Sequence, residues 1–170
     1  MYGLLGEHLS HSFSPQIHAR LGDYAYKLFE VAPDDLGAFL QAKNFNGLHV
    51  PIPYKKAVIP FLAGLSDNAR RIGAVNTIVK RADDTLWGDN TDYDGFFYMV
   101  RRSAAEVRGK KAIVLGTGGA SAPVAAVLSD LGAREVIKIS RSGENNYENI
   151  ARHYDADILV NTTPVGMYPN

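Results

Sequence analysis

The sequence contains no cysteine, which excludes disulfide bonds, a thiol nucleophile and a thiolate metal site. No apolar run approaches the ~20 residues that a helix needs to span a bilayer. Residues 1–6 have neither the basic start nor the long apolar core of a secretory signal. From these absences we expect a cytoplasmic protein that makes no contact with a membrane.

Neither sign of charge predominates, because 18 lysines and arginines are matched by 18 aspartates and glutamates. The sequence therefore gives no indication of a nucleic-acid partner. Hydrophobic residues make up 46% and charged residues 21%, as in an ordinary globular protein. A chain of 170 residues can form one large domain or two small ones. We expect a monomer or a homodimer.

The most informative stretch is a glycine-rich turn at residues 116–119. The apolar residues 112–115 predict a buried strand before it, and residues 120–131 predict a helix after it. In a dinucleotide-binding turn, glycines permit the tight turn and let the backbone approach a pyrophosphate. The unpaired N–H groups at the start of the helix attract that anion. A glycine-rich turn with no ligand is the alternative, but the flanking strand and helix favour nucleotide binding.

The residues before this turn predict a domain of their own. Strands are predicted at residues 2–5, 24–31, 45–50, 73–79 and 86–92. Helices are predicted at about 15–21, from 33, near 54, at 66–72 and at 93–105. Because these strands need a separate sheet, we expect two domains, 1–105 and 106–170. The predicted class is α/β, with an N-terminal α/β substrate domain on a mixed sheet and an incomplete Rossmann-like domain after it.

Four polar side chains at the ends of these elements are candidates for function. Ser14 precedes Pro15 and would serve equally well as a helix N-cap, whereas Ser12 has no such structural role. Lys55 lies at a corner stiffened by neighbouring prolines, although a solvated surface lysine is the simpler alternative. Asp92 follows the last strand of this domain and could merely cap the next helix.

A basic loop follows the strand predicted at residues 135–139. A fold selective for NAD usually places an acid there to bind the ribose 2′-hydroxyl, but this chain has Ser140, Arg141 and Ser142. The planar fork of arginine suits a 2′-phosphate, which indicates NADP. An exposed loop arginine is the alternative. The remaining elements predicted are a helix at 146–154 and a strand at 157–160.

Taken together and in this order, the motifs resemble shikimate dehydrogenase, the NADP-dependent enzyme of aromatic amino-acid biosynthesis. The resemblance covers essentially all 170 residues. It rests on His-Ser-Phe-Ser-Pro at 11–15, Pro-Tyr-Lys at 53–55, Gly-Ala-Val-Asn-Thr at 73–77, Gly-Asp-Asn-Thr-Asp at 88–92 and the glycine loop at 116–121. It implies reversible hydride transfer between NADPH and the C3 carbonyl of 3-dehydroshikimate.

For the first domain, the resemblance implies that Ser12 and Ser14 hold the substrate carboxylate and that Asn76 binds the substrate. It implies that Lys55 is catalytic, and we expect it to be the acid–base group because the nascent alkoxide needs a proton. Asp92 stands at the position of the family's aspartate. We expect it to partner Lys55 and to bind a substrate hydroxyl.

For the second domain, the resemblance implies an NADP site, and we expect no metal. Residues 140–142 stand where the family often has Asn-Arg-Thr, so Arg141 would bind the 2′-phosphate. Residues 161–167 resemble the segment that lines the nicotinamide. The expected cofactor-binding residues are Gly116, Thr117, Gly118, Gly119, Ala120, Ser121, Ser140, Arg141, Ser142, Thr162 and Met167.

The sequence also departs from the family pattern. The family usually has Asn-Val-Thr before its lysine motif, whereas this chain has His-Val-Pro at 49–51. Pro51 therefore stands in place of a threonine whose hydroxyl contacts the substrate in the family. The stretch between Arg141 and Asp157 is shorter than in many members. The family's C-terminal third is absent. We therefore expect that the natural chain continues past Asn170 or that this is a cut piece with little turnover of its own.

Three alternatives stay open at this stage. A quinate/shikimate dehydrogenase of broader specificity would differ around Ser12 and Ser14, because quinate carries an extra hydroxyl on the carboxylate-bearing carbon. A non-catalytic ligand-binding fragment would result from loss of the C-terminal third. A metal site would have to use His8, His11 and His18, which lack an organised acidic partner.

Overall fold

The computed structural model describes residues 1–9 and 12–166, which belong to two units, Met1–Thr91 (unit 1) and Asp92–Asn170 (unit 2). The sequence placed the division at residue 105, after the helix that follows Asp92, whereas contacts within the chain assign that helix to unit 2. Within the described ranges, no helix has the length and apolar character needed to cross a membrane.

Unit 1 is built on a six-stranded sheet. Its strands are β1 (Tyr2–Gly6), β2 (Tyr26–Glu30), β3 (Gly47–His49), β4 (Gly64–Leu65), β5 (Thr77–Lys80) and β6 (Leu86–Asp89). Their order is β2-β1-β3-β5-β6-β4, and β5 is antiparallel to both of its neighbours while the other pairs are parallel. The predicted mixed sheet is confirmed. The sequence did not predict β4, because two residues are too few to show an alternating pattern.

The core of unit 1 lies on one face of this sheet. The helices of the unit are α1 (Ser14–Leu21), α2 (Leu36–Ala42) and α3 (Asp67–Ile72), with 3-10 helices at Pro33–Asp35 and Ile59–Phe61. Alternation along the strands directs Leu5, Leu48 and Ile78 to the same face, where each is at most 2% exposed. Leu36 and Leu40, one helical turn apart on α2, pack against them.

The helix predicted near Tyr54 is wrong. Residues 52–58 form consecutive turns, and only Ile59–Phe61 closes into a 3-10 helix. Pro60 lies within the predicted helix, where it has no N–H to donate and disfavours the α conformation of Ile59, so a regular helix from Tyr54 is interrupted there. The peptide bond before Pro53 is cis.

Unit 2 is built on three parallel strands, β7 (Lys111–Leu115), β8 (Glu135–Ile139) and β9 (Ile158–Asn161), in the order β8-β7-β9. Its helices are α4 (Asp92–Arg102) and α5 (Ser121–Asp130). Because β8 and β9 lie on opposite sides of β7, the strand order reverses at β7. In parallel α/β sheets, ligands bind at the carboxyl ends of the strands beside such a switch point.

The helix predicted at residues 146–154 is largely wrong, since only a 3-10 helix at Ile150–His153 forms. The side chain of Asn146 makes the contacts of an N-cap: its Oδ1 accepts the backbone N–H groups of Glu148 at 2.9 Å and Asn149 at 3.2 Å. The residues that follow nevertheless form a turn and then the short 3-10 helix.

Candidate active site

Lys55 lies at a corner that is fixed on both sides. Tyr54, the residue before it, is 3% exposed and donates its hydroxyl to the carbonyl of Val31 at 2.5 Å. The carbonyl of Lys55 accepts the N–H of Val75 at 2.7 Å. Lys55 is half-buried, whereas its neighbour Lys56 is exposed. Its fixed backbone and partial burial therefore distinguish Lys55 from an ordinary surface lysine.

Asn76 lies next to the Lys55 corner, because it directly follows Val75, whose N–H binds the Lys55 carbonyl. Its backbone N–H donates to the carbonyl of Asp89 at 3.0 Å. Its side chain binds Thr91 twice: Oδ1 accepts the Thr91 N–H at 3.0 Å, and Nδ2 donates to Thr91 Oγ1 at 3.1 Å. The structure thus brings together the backbones of Lys55, Asn76 and Thr91.

The segment that ends at Asp92 is anchored by two polar side chains. Asn90 is fully buried, and its Nδ2 donates to the carbonyl of Ala74 at 2.9 Å. The carboxylate of Asp89 accepts the hydroxyl of Ser66 at 2.5 Å and the N–H of Asn90 at 2.7 Å. Asp92 itself is the first residue of α4. Its position is set by the chain, because it directly follows this anchored segment.

Ser12 and Ser14 lie at the start of α1, and their structural roles differ from those expected. The helix begins at Ser14 itself, with Phe13 as its N-cap and no side-chain cap bond. The expected N-cap role of Ser14 is therefore wrong. Ser12, for which no structural role was expected, accepts the N–H of Ser14 on its Oγ at 3.2 Å.

Sequence reasoning missed a ring cluster formed by His18, Tyr26 and His49. The Tyr26 hydroxyl lies 2.9 Å from Nδ1 of His49. The His18 ring stacks on Tyr26 with centroids 3.8 Å apart. Burial, followed by the nearby His18, lowers the pKa of His49, and burial raises the pKa of Tyr26. The only sequence feature that points to this cluster is His49, which departs from the family pattern.

The histidines considered for a metal site are not grouped around a common point in the described residues. Nδ1 of His18 lies 2.7 Å from the hydroxyl of Tyr24. His11 lies outside the described residues. In the part of the chain that the structure describes, no group of three or more His, Asp or Glu side chains is placed to hold a metal ion.

The glycine loop of unit 2 requires glycine at its first position. Gly116 has φ +101°, and a Cβ there would lie 3.0 Å from Oγ1 of Thr162. Its N–H donates to the carbonyl of Ile139 at 2.8 Å. The carbonyl of Leu115 accepts both the N–H of Thr162, at 2.9 Å, and its Oγ1, at 2.6 Å. The loop is therefore held between the ends of β8 and β9.

The far side of the loop is open. A Cβ on Gly118 would meet nothing within 4 Å. Ser121, the first residue of α5, is 2% exposed and donates its hydroxyl to the Gly118 carbonyl at 2.8 Å. Between them lie Gly119 and the exposed Ala120, and Thr117 before them is also exposed. The open backbone and the helix start fit a pyrophosphate.

The basic loop follows directly after β8. Ser140 is half-buried, and its N–H donates to the carbonyl of Asn145 at 3.1 Å. Arg141 and Ser142 are exposed in a bend. An exposed guanidinium at the carboxyl end of the second strand fits a phosphate on the ribose. Met167, the last of the expected cofactor residues, lies outside the described residues.

Comparison with known proteins adds an independent result. Residues 4–78 match the profile of the shikimate dehydrogenase substrate binding domain. A shikimate dehydrogenase (NADP(+)) from Clostridium beijerinckii is 42% identical over 188 residues, which cover 99% of this chain and 69% of that protein.

Solved structures give the same result. A shikimate dehydrogenase from Peptoclostridium difficile is 40% identical with a TM-score of 0.88, covering 99% of this chain and 69% of that one. A shikimate 5-dehydrogenase from Thermus thermophilus, solved with NADP(H) and shikimate, is 31% identical with a TM-score of 0.83. The alignment to it covers 97% of this chain and 69% of that one.

Proposed function

The chain belongs to the shikimate dehydrogenase family, and from that premise we propose how its residues serve the NADP-dependent, reversible reduction of 3-dehydroshikimate to shikimate. Bound NADPH supplies the hydride, while the protein supplies position and a proton. Unit 1 carries the residues proposed to hold the substrate, except Asp92, which is the first residue of unit 2 and directly follows Thr91. Unit 2 carries those proposed to hold the dinucleotide.

Lys55 is the proton donor to the oxygen at C3, and the proton acceptor in the reverse direction. A general acid must lie within hydrogen-bond reach of the atom that it protonates, and a misplacement of about 1 Å can lower the rate ~100-fold. The corner at Lys55 meets this demand, since buried Tyr54 precedes Lys55 and the Val75 N–H binds its carbonyl.

Asn76 and Asp92 bind the ring hydroxyls of the substrate. Both can accept a hydrogen bond from a hydroxyl, and the amide of Asn76 can also donate a hydrogen bond. The observation that carries this proposal is that hydrogen bonds join the segments of Lys55, Asn76 and Thr91. The Val75 N–H binds the Lys55 carbonyl, and the side chain of the next residue, Asn76, binds Thr91. Asp92 is the next residue after Thr91, so the same bonds constrain it.

Ser12 and Ser14 bind the substrate carboxylate. Hydroxyl donors suit this group, because an ionised carboxylate only accepts hydrogen bonds. The serines lie side by side at the start of α1, joined by the bond from the Ser14 N–H to Ser12 Oγ. That bond uses an acceptor site on Ser12 and leaves its hydroxyl proton for another partner.

NADP binds along the carboxyl edge of the unit 2 sheet. Residues Gly116–Ser121 receive the pyrophosphate, Thr162 lies on the β9 side of the loop, and Arg141 binds the 2′-phosphate. This assignment is supported by the positive φ of Gly116 and by the open space beside Gly118. The exposure of Arg141 after β8 supports the preference for NADP.

Calorimetric titration of the purified chain with shikimate, and separately with NADP, tests the proposal. Saturable binding of both ligands is expected, with weaker binding of NAD than of NADP. Binding of neither ligand would contradict the proposed site. Binding without turnover would match a non-catalytic ligand-binding fragment.

Quinate is a second candidate substrate, favoured by one observation. Pro51 replaces a threonine of the family motif, and His49, which replaces an asparagine of that motif, binds the Tyr26 hydroxyl at 2.9 Å. Titration with quinate under the same conditions decides between the two substrates. Tighter binding of quinate than of shikimate would assign the broader specificity.

A further inference from the structure

The loop that follows β8 carries Arg141 but has no regular secondary structure. Residues 141–145 form consecutive bends, and the 3-10 helix at Ile150–His153 comes after them. Arg141 and Ser142 are exposed. Because an unrestrained backbone samples many conformations, the conformation of such a loop depends on the groups that bind its backbone.

Two asparagines bind the carbonyl groups that follow Arg141. Nδ2 of Asn146 donates to the carbonyl of Gly143 at 3.2 Å. Nδ2 of Asn149 donates to the carbonyl of Glu144 at 2.8 Å. Two consecutive carbonyls of the loop are therefore held by two side chains, and both asparagines are half-buried.

The two asparagines also hold each other. Oδ1 of Asn149 accepts the N–H of Asn146 at 2.9 Å, and Oδ1 of Asn146 accepts the N–H of Asn149 at 3.2 Å. A carboxamide has an oxygen that accepts and a nitrogen that donates, so the reciprocal pair uses the oxygens and leaves both nitrogens for the loop. The contacts of each oxygen therefore fix the direction in which the nitrogen of the same amide points.

Backbone contacts close the loop on its other side. The N–H of Ser140 donates to the carbonyl of Asn145 at 3.1 Å. Oδ1 of Asn145 lies 2.9 Å from Nε2 of His153, which joins the loop to the 3-10 helix. Arg141 thus lies between two fixed points, Ser140 before it and Gly143 after it.

We infer that Asn146 and Asn149 are positioning residues for cofactor selection: by binding the loop carbonyls they hold Arg141 where it meets the 2′-phosphate of NADP. The inference rests on the proposed function, in which Arg141 binds that phosphate. A guanidinium binds phosphate through a rigid planar fork, so the strength of the contact depends on where the backbone places it. A loop that is held before binding also loses less conformational entropy when the cofactor binds.

A purely structural role is the alternative, because Oδ1 of Asn146 makes the contacts of an N-cap. The two roles use different atoms of the same side chain. Serine at this position keeps an oxygen that can cap, but it has no amide nitrogen and is one bond too short to replace the contact with Gly143. Asn146→Ser therefore separates the role in the loop from the role in the cap.

Fluorescence titration of the full chain with NADPH and with NADH tests the inference. Asn146→Ser and Asn149→Ala should each weaken NADPH binding roughly 3- to 10-fold, the scale of one net hydrogen bond. NADH has no 2′-phosphate, so its binding should stay within about 2-fold of the wild type. Tyr147→Ala is the control, since it truncates an exposed side chain between the two asparagines. It should leave the binding of both cofactors within about 2-fold.

A double-mutant cycle with Arg141→Ala gives a readout that a general structural role would not produce. If Asn149 acts through Arg141, Asn149→Ala should weaken NADPH binding by less than about 2-fold once Arg141 is alanine. A loss of roughly 3- to 10-fold in both backgrounds would show that the two residues act independently, and it would overturn the inference.

The remaining outcomes separate this inference from the proposed function. Equal loss of NADPH and NADH binding in the two asparagine variants would show that the asparagines only support the fold, which overturns the inference. A loss selective for NADPH in Arg141→Ala, with no such loss in either asparagine variant, would overturn the positioning role and leave the proposed function intact. Failure of Arg141→Ala to discriminate between the cofactors, or failure of the wild-type chain to bind NADPH, would overturn both.

Discussion

The Asn76 side chain and Thr91 bind each other through two hydrogen bonds, from the Thr91 N–H to Asn76 Oδ1 at 3.0 Å and from Asn76 Nδ2 to Thr91 Oγ1 at 3.1 Å. Thr91 directly precedes Asp92. Asn76, which is proposed to bind substrate, therefore also holds the segment that leads to Asp92, a second proposed substrate ligand. The two roles predict that changes at Asn76 have a larger effect than a lost ligand contact alone.

Asn76→Ala should weaken shikimate binding about 10- to 100-fold. It removes its own substrate contact and both bonds to Thr91, and each hydrogen bond contributes about 0.5–1.5 kcal/mol. Calorimetric titration measures the change. Thr91→Val is the matched control, because it removes the hydroxyl and keeps the backbone N–H. An equal loss in both variants would mean that Asn76 only holds the segment.

Lys55→Ala should lower the rate of shikimate-dependent NADP reduction by ~100-fold or more, the usual scale for a positioned acid–base group. Shikimate binding should change less, because the proton is needed in the transition state. The adjacent, exposed Lys56→Ala provides the control.

The Lys55 assay is best made on this chain and on a version extended by the C-terminal segment of the Clostridium beijerinckii relative. A Lys55→Ala variant that kept most of its rate in both forms would remove Lys55 from the mechanism. Turnover by the extended form alone would show that the residues of unit 1 and unit 2 need the added segment to act.

Arg141→Ala should weaken NADPH binding about 10- to 100-fold and leave NADH binding nearly unchanged. A charge-assisted hydrogen bond contributes roughly 1.5–3 kcal/mol, and only NADPH carries the 2′-phosphate. Fluorescence titration with the two cofactors measures the difference. An equal loss for both would show that Arg141 supports the loop and does not select the cofactor.

Gly116→Ala should abolish NADP binding and lower the thermal stability of unit 2. At φ +101° an L side chain is strained, and its Cβ would press against Oγ1 of Thr162 at 3.0 Å. Gly118→Ala is the informative partner, because its Cβ would enter open space. That variant should keep normal stability and lose NADP affinity, since the methyl group would occupy space proposed for the pyrophosphate. Full NADP affinity in Gly118→Ala would place the phosphates elsewhere.

The sequence predicted the elements that short-range patterns determine. The strand expected at 135–139 is β8 with the same bounds. The helix expected at 66–72 is α3, with Ser66 as the N-cap that accepts the N–H of Ala69 at 3.1 Å. Prediction failed at two helices whose start signals were present. Pro60 interrupts the helix predicted near Tyr54, and after Asn146 only a 3-10 helix forms, at Ile150–His153.

Contacts across the sheet could not be predicted from the sequence. The bond between Tyr26 and His49 joins β2 to β3, which are separated by β1. Its existence depends on the register of all three strands and on the length of the tyrosine side chain. The hydrogen bonds between Asn76 and Thr91 likewise join two segments that are 15 residues apart in the sequence. The sequence motif of each segment alone does not predict this contact.

A crystal structure of the chain with shikimate and NADP tests the central claim most directly. The account predicts that the shikimate carboxylate lies on the hydroxyls of Ser12 and Ser14, with its C3 oxygen about 2.6–3.2 Å from Nζ of Lys55, the reach of a general acid. The 2′-phosphate of NADP should lie on Arg141. Shikimate bound away from Lys55, or bound with its carboxylate turned from the two serines, would contradict the account.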